Sequence, residues 1–312
     1  MKKVEVLEFT SYISPDGEEF KFDTSERFLM TEEGTGIPPI TYLTQKGPFQ
    51  HGETFIDFRL TPRTIQMQMR SDQCSRAAYW ADRAKLLDVV RPNRSSFGIV
   101  GPGKLRKIFE DGSIRDIDVF IQQGPNFTAR DIGTWQEWSY TETLRFTAYD
   151  PTYYDPVLKT LQFVNTVVTL DQLVFPFSFI GGSGIEFGDS VLSITGAITY
   201  PGTWLSFPAI TVTGPISGFK ITNQATGEVI ELAYTIVGGE IVYITLPYGN
   251  KQVINDLGID LNGTVVDCDF TTFHVAPKPE APLGVNTFLI TGSGISPATD
   301  VRLEYYNRYI GI

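Results

Sequence analysis

The sequence predicts a mainly β protein of two domains: an N-terminal sheet with one α-helix, then a C-terminal β-sandwich. Three observations predict it. Apolar and polar residues alternate with period two in segment after segment, most clearly where Ile65, Met67 and Met69 alternate with Gln66, Gln68 and Arg70. In the second half, turn residues interrupt such segments about every eight to twelve positions. Only one stretch, Ser75 to Val90, carries apolar residues at three- and four-residue steps. At 312 residues the chain exceeds most single cores. The Asp150-Pro151 break places the domains at 1–155 and 156–312.

In the first domain, Val4 to Thr10 is a strand candidate, and Gly34 to Pro39 (Gly-Thr-Gly-Ile-Pro-Pro) reads as a loop. Lys46 to Gly52 is a turn. Ile56, Phe58 and Leu60 alternate with Asp57 and Arg59, and Pro62 separates this segment from the one at 65–70. The helix takes Ser75 as its N-cap and stops at Arg91-Pro92. Its expected buried stripe is Ala77, Trp80, Ala84, Leu87 and Val90, covering one side of the sheet. Strands follow near Ser96–Val100 and Leu105–Phe109. Asp111-Gly112 turns the chain into Ile114–Gln122, since both turn positions tolerate positive φ. After a loop at 123–133, a long strand runs from Trp135 to Tyr149.

The second domain begins with strands near Leu158–Leu170, a flexible turn at Gly181–Gly184 and a strand at Val191–Thr195. Residues Phe207 to Leu232 then read as a three-strand meander. Ile210 and Val212 alternate with Thr211 and Thr213, Gly214-Pro215 breaks the strand, and further strands surround Phe219–Ile221 and Val229–Leu232. Glu228–Val237 and Ile241–Leu246 are expected to pair across Gly238-Gly239. Val265–Phe270, Asn286–Thr291 and Asp300–Tyr309 complete the set, with a Pro-rich loop at 276–282.

The formal net charge of −11 argues against nucleic-acid binding and against anionic membranes, because such a surface repels phosphates. Cys74 and Cys268 are far apart, so reduced, buried thiols are expected rather than a disulfide framework. Lys2 and Lys3 are followed by Glu5 and Glu8, without the apolar core of a signal peptide, and no stretch reaches the length of a membrane span.

The search for chemistry returns structural readings. The two histidines, His51 and His274, lack metal-ligand spacing. There is no nucleophile elbow and no Cys–His arrangement, and Gly181–Gly184 lacks the Lys and helix of a phosphate loop. Asp150 with Asp155, and Asp267 with Asp269, are the acidic pairs that a glycosidase reading would use, since such enzymes set two carboxylates about 5–10 Å apart. Asp267 and Asp269 would share one strand face roughly 7 Å apart, with Cys268 opposite, and a solvated face explains them better. No catalytic, cofactor or metal residue is assigned. In the last strand, Tyr305, Asn307 and Tyr309 would share one face, opposite Tyr306 and Arg308, with one of the two faces in the core.

Taken in order, several segments carry a resemblance. They are the Pro38-Pro39-Ile40 loop, the Gly47-Pro-Phe-Gln-His-Gly52 turn, the strand ending Leu60-Thr-Pro-Arg63, the single helix, and Phe146-Thr-Ala-Tyr-Asp-Pro151. In the second half they are Gly202 to Pro215, Asn223-Gln-Ala-Thr-Gly227 and Tyr305-Tyr-Asn-Arg-Tyr309. With these, the chain resembles the distal tail proteins of siphoviruses, over nearly its whole length.

The resemblance implies an N-terminal belt domain (a sheet or split barrel with one helix) and a C-terminal galectin-like β-sandwich. It also implies a structural role at the distal end of the virion tail, in a particle assembled in the host cytoplasm. The implied partners are further copies of the chain in a hexameric ring, the tail tube protein, the tail-tip hub and receptor-binding proteins, with DNA passing through the ring. Strands 54–70 and 105–122 are the expected ring contacts, and the lumen is expected to be negatively charged. The competing reading is a carbohydrate-binding adhesion module. Trp204 and Asn223 could supply a stacking platform and a polar contact, but the His, Asn and Arg set of galectin sites is missing. A cell-wall hydrolase ranks third.

Overall fold

The structure is a computed structural model, which describes residues 8–92, 101–127, 138–163 and 191–312. The chain first forms β1 (Phe9–Ile13), β2 (Glu19–Lys21), β3 (Arg27–Glu33), β4 (Ile40–Gln45), β5 (Thr54–Leu60) and β6 (Arg63–Asp72). Helix α1 (Arg76–Val90) follows, then β7 (Gly103–Ile108), β8 (Ile114–Gln123), β9 (Ser139–Ala148) and β10 (Tyr153–Tyr154). Next come β11 (Lys159–Phe163), β12 (Val191–Thr199), β13 (Ala209–Thr213), β14 (Ile216–Asn223), β15 (Val229–Leu232) and β16 (Thr235–Ile236). The rest are β17 (Ile241–Thr245), β18 (Gln252–Asn255), β19 (Val265–Cys268), β20 (Val285–Ser293), β21 (Asp300–Tyr305) and β22 (Arg308–Tyr309). The fold is mainly β and its sheets are antiparallel, with α1 the one α-helix among the described residues. Residues 4–7 of the strand expected at 4–10, the strand expected at 96–100, residues 135–137 of the strand expected at 135–149, residues 164–170 of those expected at 158–170 and the turn at Gly181–Gly184 lie outside those residues.

Two compact units divide the chain: Met1–Pro156 with Arg308–Ile312, and Val157–Asn307. The first unit is built on a sheet in the order β2-β1-β7-β8-β9-β6-β3, with β10 pairing to β8 and β22. The alternation at 65–70 does what period two requires. Ile65, Met67 and Met69 are fully buried, while the residues between them are not. Strands β2, β3 and β4 are short or polar and carry no strong alternation.

Helix α1 forms where its periodicity places it, capped by Ser75, whose Oγ accepts from the Ala78 N–H at 3.2 Å. Its buried face is not the expected one. Ala77, Trp80, Ala84 and Leu87 are exposed, and the buried residues are Asp82, Leu86, Val89 and Val90. The reason is Asp82. Its carboxylate is held by the Arg27 guanidinium, the Ser71 hydroxyl at 2.7 Å and the Tyr140 phenol at 2.6 Å. A carboxylate so satisfied can be buried, and it rotates the helix to present its own side to the sheet.

The second unit is a β-sandwich. One sheet runs β11-β21-β13-β17-β18, and the other β12-β20-β14-β15-β19 with β16 beside β14. Ile210, Val212 and Val242 from the first sheet meet Phe219, Ile221 and Ile290 from the second in one core.

The expected meander is therefore corrected. β14 and β15 pair, but β13 pairs with β17 and β21 in the opposite sheet. Gly214-Pro215, a cis peptide, is the corner where the chain changes sheets. Gly238-Gly239 is a second such corner rather than a hairpin, since β16 pairs with β14 and β17 with β13. The last expected strand also divides: β21 ends at Tyr305, and β22 belongs to the first unit. Tyr305 and Tyr309 thus lie in different units, Tyr305 in the sandwich core and Tyr309 beneath the Arg115 guanidinium, 3.8 Å from its ring centre.

Candidate functional site

Strands β4 and β5 form a two-stranded sheet of their own, pairing with no other strand among the described residues. Ile40 pairs with Leu60 and Tyr42 with Phe58, so these four share a face. The register shifts after Leu43, which brings Phe55 opposite Thr44. Phe55 then reaches the same face, and its ring sits edge-on to Tyr42 at 6.1 Å. Thr41, Leu43, Asp57 and Arg59 pair on the other face. The hairpin is amphipathic, yet among the described residues nothing buries its apolar face. Tyr42 is 62% exposed, Phe55 59% and Phe58 41%.

The tip is ordered by its own side chains. Gln50 Oε1 accepts from the Gly47 N–H at 3.0 Å, and Gln50 Nε2 donates to Thr54 Oγ1 at 2.7 Å. His51 sits exposed in this turn beside Phe49, which is 99% exposed. A lone two-stranded hairpin is marginal in water, and each large apolar side chain left exposed forgoes about 1.5–3 kcal/mol of burial. Contiguous exposed apolar surface of this kind is characteristic of interaction sites.

The base of the hairpin is as tightly held as its tip is open. Arg63, which ends the Leu60-Thr-Pro-Arg63 motif, is 1% exposed. Its Nη1 donates to the carbonyls of Gly34, Thr35 and Gly36 at 3.2, 3.2 and 3.0 Å, and its Nη2 to the carbonyl of Ile310. Its guanidinium also stacks on Tyr153, 4.9 Å from the ring centre. Gly34 has φ +88°, and a Cβ there would meet the Thr64 carbonyl oxygen at 2.1 Å, so only glycine fits.

The other expected ring strands are inner members of the sheet, each paired along both edges. β6 lies between β9 and β3, β7 between β1 and β8, and β8 between β7 and β9; β2 and β3 are the ends of the sheet. Within the segment 54–70, β5 carries the exposed large apolar side chains Phe55, Ile56 and Phe58. The sequence shows the apolar alternation of β5 but not where it faces, because a core and a partner ask for the same residues.

The other weighed residues have structural partners. His274 is buried, with Nδ1 2.7 Å from the Thr272 carbonyl and 3.1 Å from the Glu228 carboxylate, and Nε2 3.2 Å from Glu280. Burial pulls its pKa down, but the hydrogen bond and charge of Glu228 outweigh that and push it up to about 9.

Asp150 accepts from the Thr152 N–H and hydroxyl and from Arg308. Asp267 lies on β19 opposite Glu231, whereas Asp269 falls beyond the strand and caps Val229, so the two do not form a strand-face pair. Asn223 is fully buried, donating to the His274 carbonyl at 2.8 Å and to Asn286 at 3.2 Å, and is not a surface contact. Trp204 is half-buried, its carbonyl accepting from the Tyr200 phenol at 2.6 Å. A shallow cavity of about 300 Å³, lined by Thr199, Tyr200, Lys278 and Leu283 among others, includes neither Trp204 nor Asn223. Cys74 is exposed rather than buried. Among the described residues no group of three or more His, Cys, Asp or Glu is placed to hold a metal ion, and no helix is long and apolar enough to cross a membrane.

The sequence matches no protein-family model and no curated protein. The phage p2 baseplate in its activated conformation, solved with Sr, aligns over 96% of this chain and 98% of that one, at 10% identity. Its TM-score of 0.42 is too low to bear on the fold. The Dit protein of phage SPP1, described as a paradigm of the hub adsorption apparatus in phages that infect Gram-positive bacteria, aligns over 97% of this chain and 99% of that one. At 12% identity and a TM-score of 0.58, this chain shares the fold of that protein.

Proposed function

We propose that this protein is a structural component of a phage tail tip or baseplate, assembling into a ring between the tail tube and the tail-tip hub. The amphipathic β4–β5 hairpin carries the reading. An ordered ribbon whose apolar side chains Tyr42 and Phe55 are more than half exposed suits a contact with another subunit. Head-to-tail contacts of this kind, one face meeting a different face, close into rings. The likeness to the SPP1 hub protein supports the tail-tip setting. The resemblance in the sequence supplies the expected hexamer, the placement of 1–155 as a belt and 156–312 as a galectin-like domain, and the passage of DNA. Neither role requires chemistry, and the protein is read as a non-enzyme.

Native mass spectrometry and electron microscopy of the purified protein test this, beside a variant in which a short Gly-Ser turn replaces residues 41–59. The wild type is expected to form rings and the variant to remain a folded monomer. Unchanged assembly of the variant would sink the reading, as would a ring contact made only by residues beyond 155.

A further inference from the structure

We infer that residues 308–312 are a latch that sets the base of the β4–β5 hairpin, so that the hairpin is presented for assembly only once this segment has docked. The inference rests on reading that hairpin as the assembly arm, and adds a control on it. Three contacts converge on one short loop. The Arg63 guanidinium, buried where the chain leaves the hairpin, binds the carbonyls of Gly34, Thr35 and Gly36 where the chain approaches it. The same guanidinium binds the Ile310 carbonyl. The Ile312 N–H donates to the Thr35 carbonyl at 3.1 Å.

The fit between the two segments is close. A Cβ on Gly311 would lie 2.7 Å from the Gly36 carbonyl oxygen and 3.1 Å from that of Thr35. Loop 34–36 is therefore clamped between Arg63 and residues 310–312, and the hairpin strands leave from this clamp. The Thr61 N–H, bonded to the Pro39 carbonyl at 2.9 Å, closes the hairpin immediately beyond it.

Residues 308–309 arrive by pairing as β22 with β10, and Arg308 bonds Asp150 and the Thr152 hydroxyl. The segment is separated in sequence from the loop it holds by the whole of Val157–Asn307. In a growing chain, the hairpin base thus lacks half of its clamp until that intervening unit has been made. A buried guanidinium is poorly satisfied without its Ile310 acceptor, which favours a loosened loop over a half-filled one.

Hydrogen exchange on the full chain decides between this and a merely structural tail. Two variants serve: Gly311→Ala, whose new methyl collides with the Gly36 carbonyl, and a chain ending at Asn307. Both are expected to speed exchange of Thr61 and the amides of β4 by about tenfold or more, and to lose assembled species in native mass spectra. Protection in β13 and β20 should be unchanged. Unaltered exchange at Thr61 and β4 in both variants would overturn the latch, as would equal acceleration across β6 and β9, which would mean general destabilisation. If the wild type itself stays monomeric, the assembly reading fails while the exchange data still decide the latch.

Discussion

At the scale of single residues, two charged groups are buried on purpose, and each predicts a measurable cost. Asp82 sits between α1 and the sheet with Arg27, Ser71 and Tyr140 around it. Burial would raise its pKa, but the hydrogen bonds from Arg27, Tyr140 and Ser71 hold it below the ordinary carboxylate range. Removing it leaves the Arg27 guanidinium and two hydroxyls without their acceptor, so Asp82→Ala should lower stability by about 3 kcal/mol in urea unfolding. A loss within experimental error would show that the network is decorative.

His274 works in the opposite sense. Its folded pKa is raised to about 9 from 6.5, so its contribution is complete below pH 6.5 and is lost as pH rises through 9. The wild type should lose stability across that window. His274→Gln, which cannot carry the charge, should show a flatter profile. Parallel profiles for the two proteins would contradict the assignment.

At the scale of elements, the alternation in the sequence located most core strands, because burial of one face imposes period two whatever the strand pairs with. It did not say which sheet each strand joins. β13 and β14 look like neighbours in sequence and face each other across the core instead, since Gly214-Pro215 turns the chain through the sandwich. The same blindness hid the candidate site. Tyr42, Phe55 and Phe58 carry the pattern of a core strand, and only the structure shows how far they are exposed. For α1, the rule that charged residues face water misplaced the buried side by about one residue, because it gave Asp82 no partners. The corner itself is testable. A Cβ on Gly214 would lie 2.2 Å from the Val237 carbonyl oxygen and 2.8 Å from that of Ile236, both backbone atoms that cannot swing away. Gly214→Ala should therefore cost about 1–3 kcal/mol, read from the thermal midpoint, whereas Gly263→Ala, with open space around the site and no positive φ, should cost less. Equal losses would mean that backbone conformation, and not the close approach, governs the corner.

At the scale of the whole molecule, the charge balance bears on the ring reading proposed above. Asp and Glu number 36 against 25 Lys and Arg. Several of the cations are committed internally: Arg27 to Asp82, Arg63 to backbone carbonyls, and Arg106 to Asp116. The formal net charge of −11 is an acidic excess, which opposes displacement of the counterions that accompany a duplex. In the ring reading, this favours a lumen through which DNA slides without being held, since attraction between wall and phosphate would resist its passage. The purified protein should accordingly fail to retard duplex DNA at about 0.15 M salt, and lowering the salt should not rescue binding, because repulsion lengthens its reach as screening falls. Micromolar binding that strengthens steeply at low salt would require a basic face, and an assembled lumen lined mainly by Lys and Arg would identify it. Either result would count against the passive conduit of the ring reading.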